Sequence, residues 1–308
     1  MTTLRDADVI ADYARGAREI YVEWQDKMPA HNQGAVAQLI RTAVRSSAMP
    51  DIEFNFKTFS DGSGGALNSG SWMLDINRGY TDKHALEEYL FKWLCGILYH
   101  ESRHAEQYFY CAQAVFAGDA NLTVALSGSG TNAQQIGRAM NLPDKVANAA
   151  ENTRSYRLLS QADKNTVLNW FNSVWGTQAG HRAQVYTMPN LFTPGSPGNT
   201  AYINLPEEVD AYATQAEVEA AVGQELATRV QRAVQQRQDF GATKSAVAAK
   251  LVLAPPGAAK PAAAAKPAIA TPAAVTPVVQ PAVQPAVQQA APGKGMLKSL
   301  QGLFGKKH

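Results

Sequence analysis

From Asp82 to Ala117 the chain runs without proline and with one internal glycine, Gly96, and this uninterrupted stretch sets the terms for the fold. Tyr89, Leu90, Trp93, Leu94, Ile97 and Leu98 recur at three- and four-residue spacing, which predicts a long core helix. Asp82 or Thr81 can cap its start, and Glu87 and Glu88 suit the positive end of the helix dipole. His100 and His104 continue the pattern, with Glu101 beside the first of them. Side chains four apart share a helix face, so both rings can offer a nitrogen to one metal ion. Glu101 then stands where a carboxylate takes a proton from metal-activated water. Random placement of six His and thirteen Glu in 308 residues gives this His-Glu-x-x-His spacing in about one chain in a hundred or fewer. The competing reading is a pair of core histidines bonded to backbone carbonyls.

Two strands are predicted upstream. Ile52 to Phe59 alternates apolar and polar residues, and Trp72 to Asn77 supplies a second run, with the Gly/Ser/Asn-rich Ser60 to Gly70 read as the turn. The expected result is a hairpin or small sheet leading into the long helix. At the N-terminus Val9, Ile10, Tyr13, Ala17, Ile20, Tyr21 and Trp24 form an amphipathic helix that belongs to the fold. The fold class is therefore α+β and mainly α-helical. Cys95 and Cys111 stand sixteen residues apart on the long helix, or about 24 Å at 1.5 Å per residue, too far to bridge.

A third ligand must come from elsewhere in the chain. Pro206 suits a helix start, with Glu207, Glu208 and Asp210 in its first turn. The proline-free stretch from Glu207 to Val234 carries an apolar stripe through Val209, Tyr212, Ala213, Ala216, Ala220 and Val222. An acidic helix start with no ligand role is the plain alternative for those three acids. Arg103 and Glu106 read as surface or helix-pair charges, and Gln107 is placed to line a cleft.

His-Glu-x-x-His-x-x-Gln from His100 to Gln107, followed by Tyr-x-x-x-Pro-x-Glu-x-Asp-Ala from Tyr202 to Ala211, resembles zincin-like metallopeptidases of the gluzincin type. These are bacterial and phage-associated, and some are domains of polymorphic or injected toxins. The resemblance implies Zn2+ held by His100, His104 and Glu208, with Glu101 as general base and Glu207 and Asp210 as fallback ligands. Asp210 would otherwise accept a proton from a ligand histidine. It also implies an edge strand that pairs with an extended substrate, a role assigned to Trp72–Asn77. Tyr202, His181 and Tyr186 are the candidate oxyanion donors. The chain lacks the third histidine shortly after His104 that marks metzincins. The implied activity is peptide-bond hydrolysis; the alternatives are a zinc amidase acting on peptidoglycan and a non-catalytic binding component on the same scaffold.

Charge divides the chain. All 26 acidic residues lie at or before Asp239, whereas residues 241–308 hold eight lysines, no arginine and no acid. Nine of the sixteen prolines fall between Pro255 and Pro292, which favours an extended polyproline spacer. Met296, Leu297, Leu300, Leu303 and Phe304, with lysines at 294, 298, 306 and 307, form a short basic amphipathic segment, too short to span a bilayer. The organisation is thus a domain over 1–240, a flexible Ala/Pro-rich linker over 241–293 and the basic segment 294–308. That segment suits a secretion-machinery, membrane-surface or immunity-protein partner, or else simply a solubilising end. No nucleic-acid partner is expected. The first thirty residues lack the apolar run of a secretory signal, so synthesis in the cytoplasm is expected, with export only by a specialised system.

Overall fold

Residue composition makes one helix the axis of this molecule. In the computed structural model, which describes residues 3–24, 27–47, 49–60, 62–120, 132–153 and 155–228, helix α4 runs from Glu88 to Ala117. Its thirty residues span about 45 Å. From Leu94 to Ala114 every residue except Glu101 is buried. A helix apolar on most sides must be covered on most sides. The covering elements that touch α4 include α2 (Pro29–Ser46), α5 (Ala133–Met140), α6 (Asp144–Asn152) and α7 (Gln161–Val174). A further helix, α10, occupies residues 206–228. Helix α1 (Ala7–Glu23) packs on α2 and buries Val9, Ile10, Tyr13 and Ala17, as its spacing predicts.

The start of α4 differs from the sequence reading. Residues Arg78–Thr81 form a separate turn of helix, α3, capped by the Asn77 side chain, which accepts from the Gly79 amide at 2.8 Å. Asp82 closes α3 and spends its carboxylate on Arg78 and Gln33, so Glu87 becomes the N-cap of α4. The far end stops where Gly118 enters the left-handed region at φ 82° and the Asp119 amide reaches back to the Ala114 carbonyl.

Of the two expected forms, hairpin or small sheet, the structure has the small sheet. Strands β1 (Glu53–Lys57), β2 (Gly65–Asn68) and β3 (Met73–Asn77) lie in the order β1-β3-β2. β1 pairs with β3 in parallel, Phe54 opposite Leu74, so these two runs cannot be the arms of one hairpin. The hairpin partner of β3 is β2, antiparallel, with Leu67 opposite Leu74. Strand β2 lies inside the stretch that composition marks as turn. Its glycine has another cause: a Cβ on Gly65 would stand 2.9 Å from Leu98 Cδ2 and 3.1 Å from the Asp75 carbonyl. Glycine there permits β2 to approach α4 closely. Leu74 and Ile76 on the central strand are fully buried, each worth about 1.5–3 kcal/mol of apolar burial.

The stripe predicted for α10 is also corrected. Val209, Ala213, Ala216 and Ala220 face solvent, while Ala211, Val218, Val222 and Leu226 are buried. The buried face starts with polar residues, Glu207, Glu208 and Asp210, which an apolar pattern search passes over. Helices α8 (Ala179–Val185) and α9 (Pro197–Ile203) flank that start, where Val185, Leu191, Tyr202 and Leu205 make a second small core. Both cysteines are buried and free. No helix among the described residues is long and apolar enough to cross a membrane. The boundary at 240, the linker 241–293 and the segment 294–308 lie outside the described residues.

Candidate metal site

His100 and His104 sit on adjacent turns of α4, with their rings edge to face and their Nε2 atoms 3.0 Å apart. Glu208 projects from the first turn of α10 and places Oε2 3.5 Å from each of those nitrogens. All three side chains are buried. The three donor atoms form a nearly equilateral triangle, and a point equidistant from them lies about 1.9 Å from each. That distance is compatible with zinc–nitrogen and zinc–oxygen bonds of about 2.0–2.2 Å. Buried Glu208 Oε2 has no hydrogen-bond partner among the described residues, so the chain leaves an acceptor aimed at this point. A divalent cation would satisfy it. The residues fit such an ion.

The three acids that open α10 have separate fates. Glu207 turns away and pairs with Arg182 of α8, Nε to Oε1 2.6 Å, with both groups buried. Asp210 takes Arg103 Nε on Oδ2 at 2.7 Å and Arg5 Nη1 on Oδ1 at 3.2 Å. Glu208 alone faces the histidines. Neither fallback ligand reaches the triangle. Asp210 does not touch a histidine; Gln107 lies between, its Oε1 2.8 Å from His104 Nδ1 and its Nε2 2.9 Å from Asp210 Oδ2. Gln107 therefore supports the ligand from behind, where a place lining the cleft was expected. His100 Nδ1 has no such partner among the described residues.

Arg103 and Glu106 form the helix pair that was one of the two expected readings, but they are buried and not on the surface. They pair with each other, and Glu106 accepts the Leu4 amide at 3.0 Å, while Tyr99 donates to the Leu4 carbonyl at 2.7 Å. The N-terminal residues thus cover this side of α4 and turn what looked like surface charge into a neutralised internal cluster with Arg5 and Asp210. Arg103 also lies over the Trp170 ring at 5.0 Å.

Burial and charge act on the site in opposite directions. Burial alone would lower the His104 pKa, but the Glu208 carboxylate, with Glu101 and the Gln107 carbonyl behind it, pushes it up to about 9. Burial alone would raise the Glu208 pKa, and the two histidines, His104 first, hold it well below the usual carboxylate range.

Glu101 is partly exposed and anchored: the Leu67 amide of β2 donates to its Oε2 at 2.8 Å. Of the expected oxyanion donors, His181 is exposed on α8, and the Tyr186 hydroxyl accepts from Arg182 Nη2 at 3.1 Å. Tyr202 packs edge-on against Tyr186, centroids 5.7 Å apart. Tyr212, counted in the sequence as a stripe residue, lies one turn after Glu208 and packs its ring 4.6 Å from His100. Its spacing of four from Glu208 was the available signal.

Fold and site define a mainly helical protein with a small three-stranded sheet and a buried His-His-Glu group able to hold a metal ion. No family model, curated protein or solved structure matches this chain.

Proposed function

We propose that this chain is a zinc-dependent peptidase of zincin-like design. The observation that carries the reading is the His100–His104–Glu208 triangle with the Glu101 carboxylate beside it, tethered to a strand edge. A bound zinc ion supplies Lewis acidity, which acidifies water and polarises a carbonyl oxygen. Glu101 serves as the base: it removes the proton from the attacking water and passes it to the leaving amine. The Leu67 amide holds one oxygen of Glu101 and leaves the other for this transfer.

The strand edge that receives substrate is β2, in place of the Trp72–Asn77 run. Among the described residues β3 is bonded on both sides, whereas β2 has an edge that no strand pairs with, and the Leu67 amide points from it towards Glu101. An extended peptide laid along Gly65–Asn68 passes Glu101 by strand addition. Tyr212, whose ring packs against His100, is the candidate donor to the developing oxyanion. Delivery as an effector or toxin rests on the sequence of the tail and the family resemblance, and deletion of residues 255–308 tests it through export and localisation.

The site is tested by elemental analysis with two variants. Wild-type protein should carry one zinc per chain. Glu101→Gln should keep the metal and lose hydrolysis, and His104→Ala should lose both. Parallel assays on unfolded protein and on cell wall separate a peptidase from a peptidoglycan amidase. A wild-type chain that takes up no stoichiometric zinc after reconstitution overturns the reading.

A further inference from the structure

Gln107 occupies a position that an apolar or charged residue would leave undetermined, because its amide has one end that only accepts and one that only donates. The two groups 2.9 Å from its Nε2 are the Glu207 main-chain carbonyl and Asp210 Oδ2. The carbonyl can only accept, and so can the Asp210 carboxylate, which Arg103 and Arg5 hold ionised. The NH2 end must therefore face α10. That forces Oε1 towards His104 Nδ1 at 2.8 Å, and an amide oxygen accepts only. His104 must then carry its proton on Nδ1 and present Nε2, the nitrogen 3.5 Å from Glu208 Oε2, as its free lone pair when neutral.

We infer that Gln107 is a positioning residue that fixes the tautomer and ring orientation of His104, with α10 as its reference. The inference rests on the metal reading given above and adds what sets one of its ligands. The relay is continuous and buried: Arg103 to Asp210, Asp210 to Gln107, Gln107 to His104. Three of its members lie on α4 and one, Asp210, on α10, the helix that also carries Glu208. Docking of α10 on α4 therefore brings in the third ligand and orients the second in a single event. The connecting group is a neutral amide. Unlike a carboxylate, it adds no second negative charge, so the ligand set keeps the single charge of Glu208 against a divalent ion.

The experiment pairs zinc affinity with the protonation site of His104 in the full chain. Zinc is titrated against a competing chelator, and two-bond 1H–15N spectra of 15N-labelled protein report which ring nitrogen bears hydrogen. Wild-type His104 should show a protonated Nδ1 and a zinc-coordinated Nε2. Gln107→Met, which keeps the volume and removes the amide, should weaken zinc binding by about 10–100-fold and lose the single tautomer. A residue with a merely structural role would lower thermal stability without moving the tautomer. If Gln107→Met binds zinc as tightly as wild type, or if wild-type His104 carries its proton on Nε2, the inference is wrong. Should the variant not fold, the wild-type tautomer alone decides. A wild-type chain that binds no zinc would sink the metal reading instead, and the tautomer of its metal-free His104, read above about pH 9 where the ring is neutral, would still decide the role of Gln107.

Discussion

At the scale of single residues the account turns on how three neighbouring acids divide their work. Glu208 is the one whose carboxylate meets the histidines, while Glu207 neutralises Arg182 inside the protein. The two substitutions should therefore fail in different ways. Glu208→Gln should reduce zinc affinity by at least about 100-fold, measured by chelator competition, because a carboxylate donor is lost from the first coordination sphere. Glu207→Gln should leave zinc affinity within a few-fold of wild type and cost about 3 kcal/mol in denaturant unfolding, since the buried Arg182 charge loses its counter-ion. Tyr212→Phe should keep both zinc and stability and lower kcat by about 10–100-fold in a peptide-hydrolysis assay, if its hydroxyl meets the oxyanion. Helical spacing made His100, Glu101 and His104 legible as a set because that information is local, whereas Glu208 was set apart from Glu207 and Asp210 only by the family resemblance. The sequence could not separate the fates of Glu207, Glu106 and Arg103, whose long-range partners lie on α8, in the N-terminal segment and on α10. Long-range ion pairs leave no periodic trace.

At the scale of elements the sheet explains itself through one glycine. Gly65 reads as a turn residue in isolation, yet it marks the place where β2 closes on Leu98 of α4. Gly65→Ala should cost about 1–3 kcal/mol, because the added methyl pushes on Leu98 Cδ2 and on the Asp75 carbonyl across the ladder. The same displacement should move the Leu67 amide off Glu101, so activity of the folded variant should fall further than its zinc content, measured on one preparation. The long helix was legible except at its start: residues 82–87 lie outside both helices, and the expected caps Thr81 and Asp82 belong to the end of α3. The face of α10 was misread for a physical reason: its buried acids are tolerated only because Arg103, Arg182 and the histidines supply partners from other elements.

At the scale of the whole molecule, metal, protons and stability are linked. In the metal-free protein the His104 pKa lies at about 9, above its ordinary 6.5, so protonated His104 is favoured by folding. That contribution is fully present below about pH 6.5 and is lost as pH rises through about 9. The contribution of Glu208, whose pKa is depressed, is present above its ordinary value and is lost as pH falls towards the acid range. Zinc competes with the His104 proton, so zinc affinity should rise about tenfold per pH unit up to about pH 9 and then level off. The Tm difference between zinc-loaded and metal-free protein should widen over the same range, as scanning calorimetry at fixed zinc excess would show.

The claim beneath all of these is that one ion sits among His100 Nε2, His104 Nε2 and Glu208 Oε2. Anomalous diffraction on either side of the zinc absorption edge, from crystals of zinc-reconstituted protein, tests it most directly. The account expects one strong peak within about 2.0–2.2 Å of all three atoms. No peak there, or a zinc ion held elsewhere with the two histidines bonded to backbone carbonyls, would contradict it.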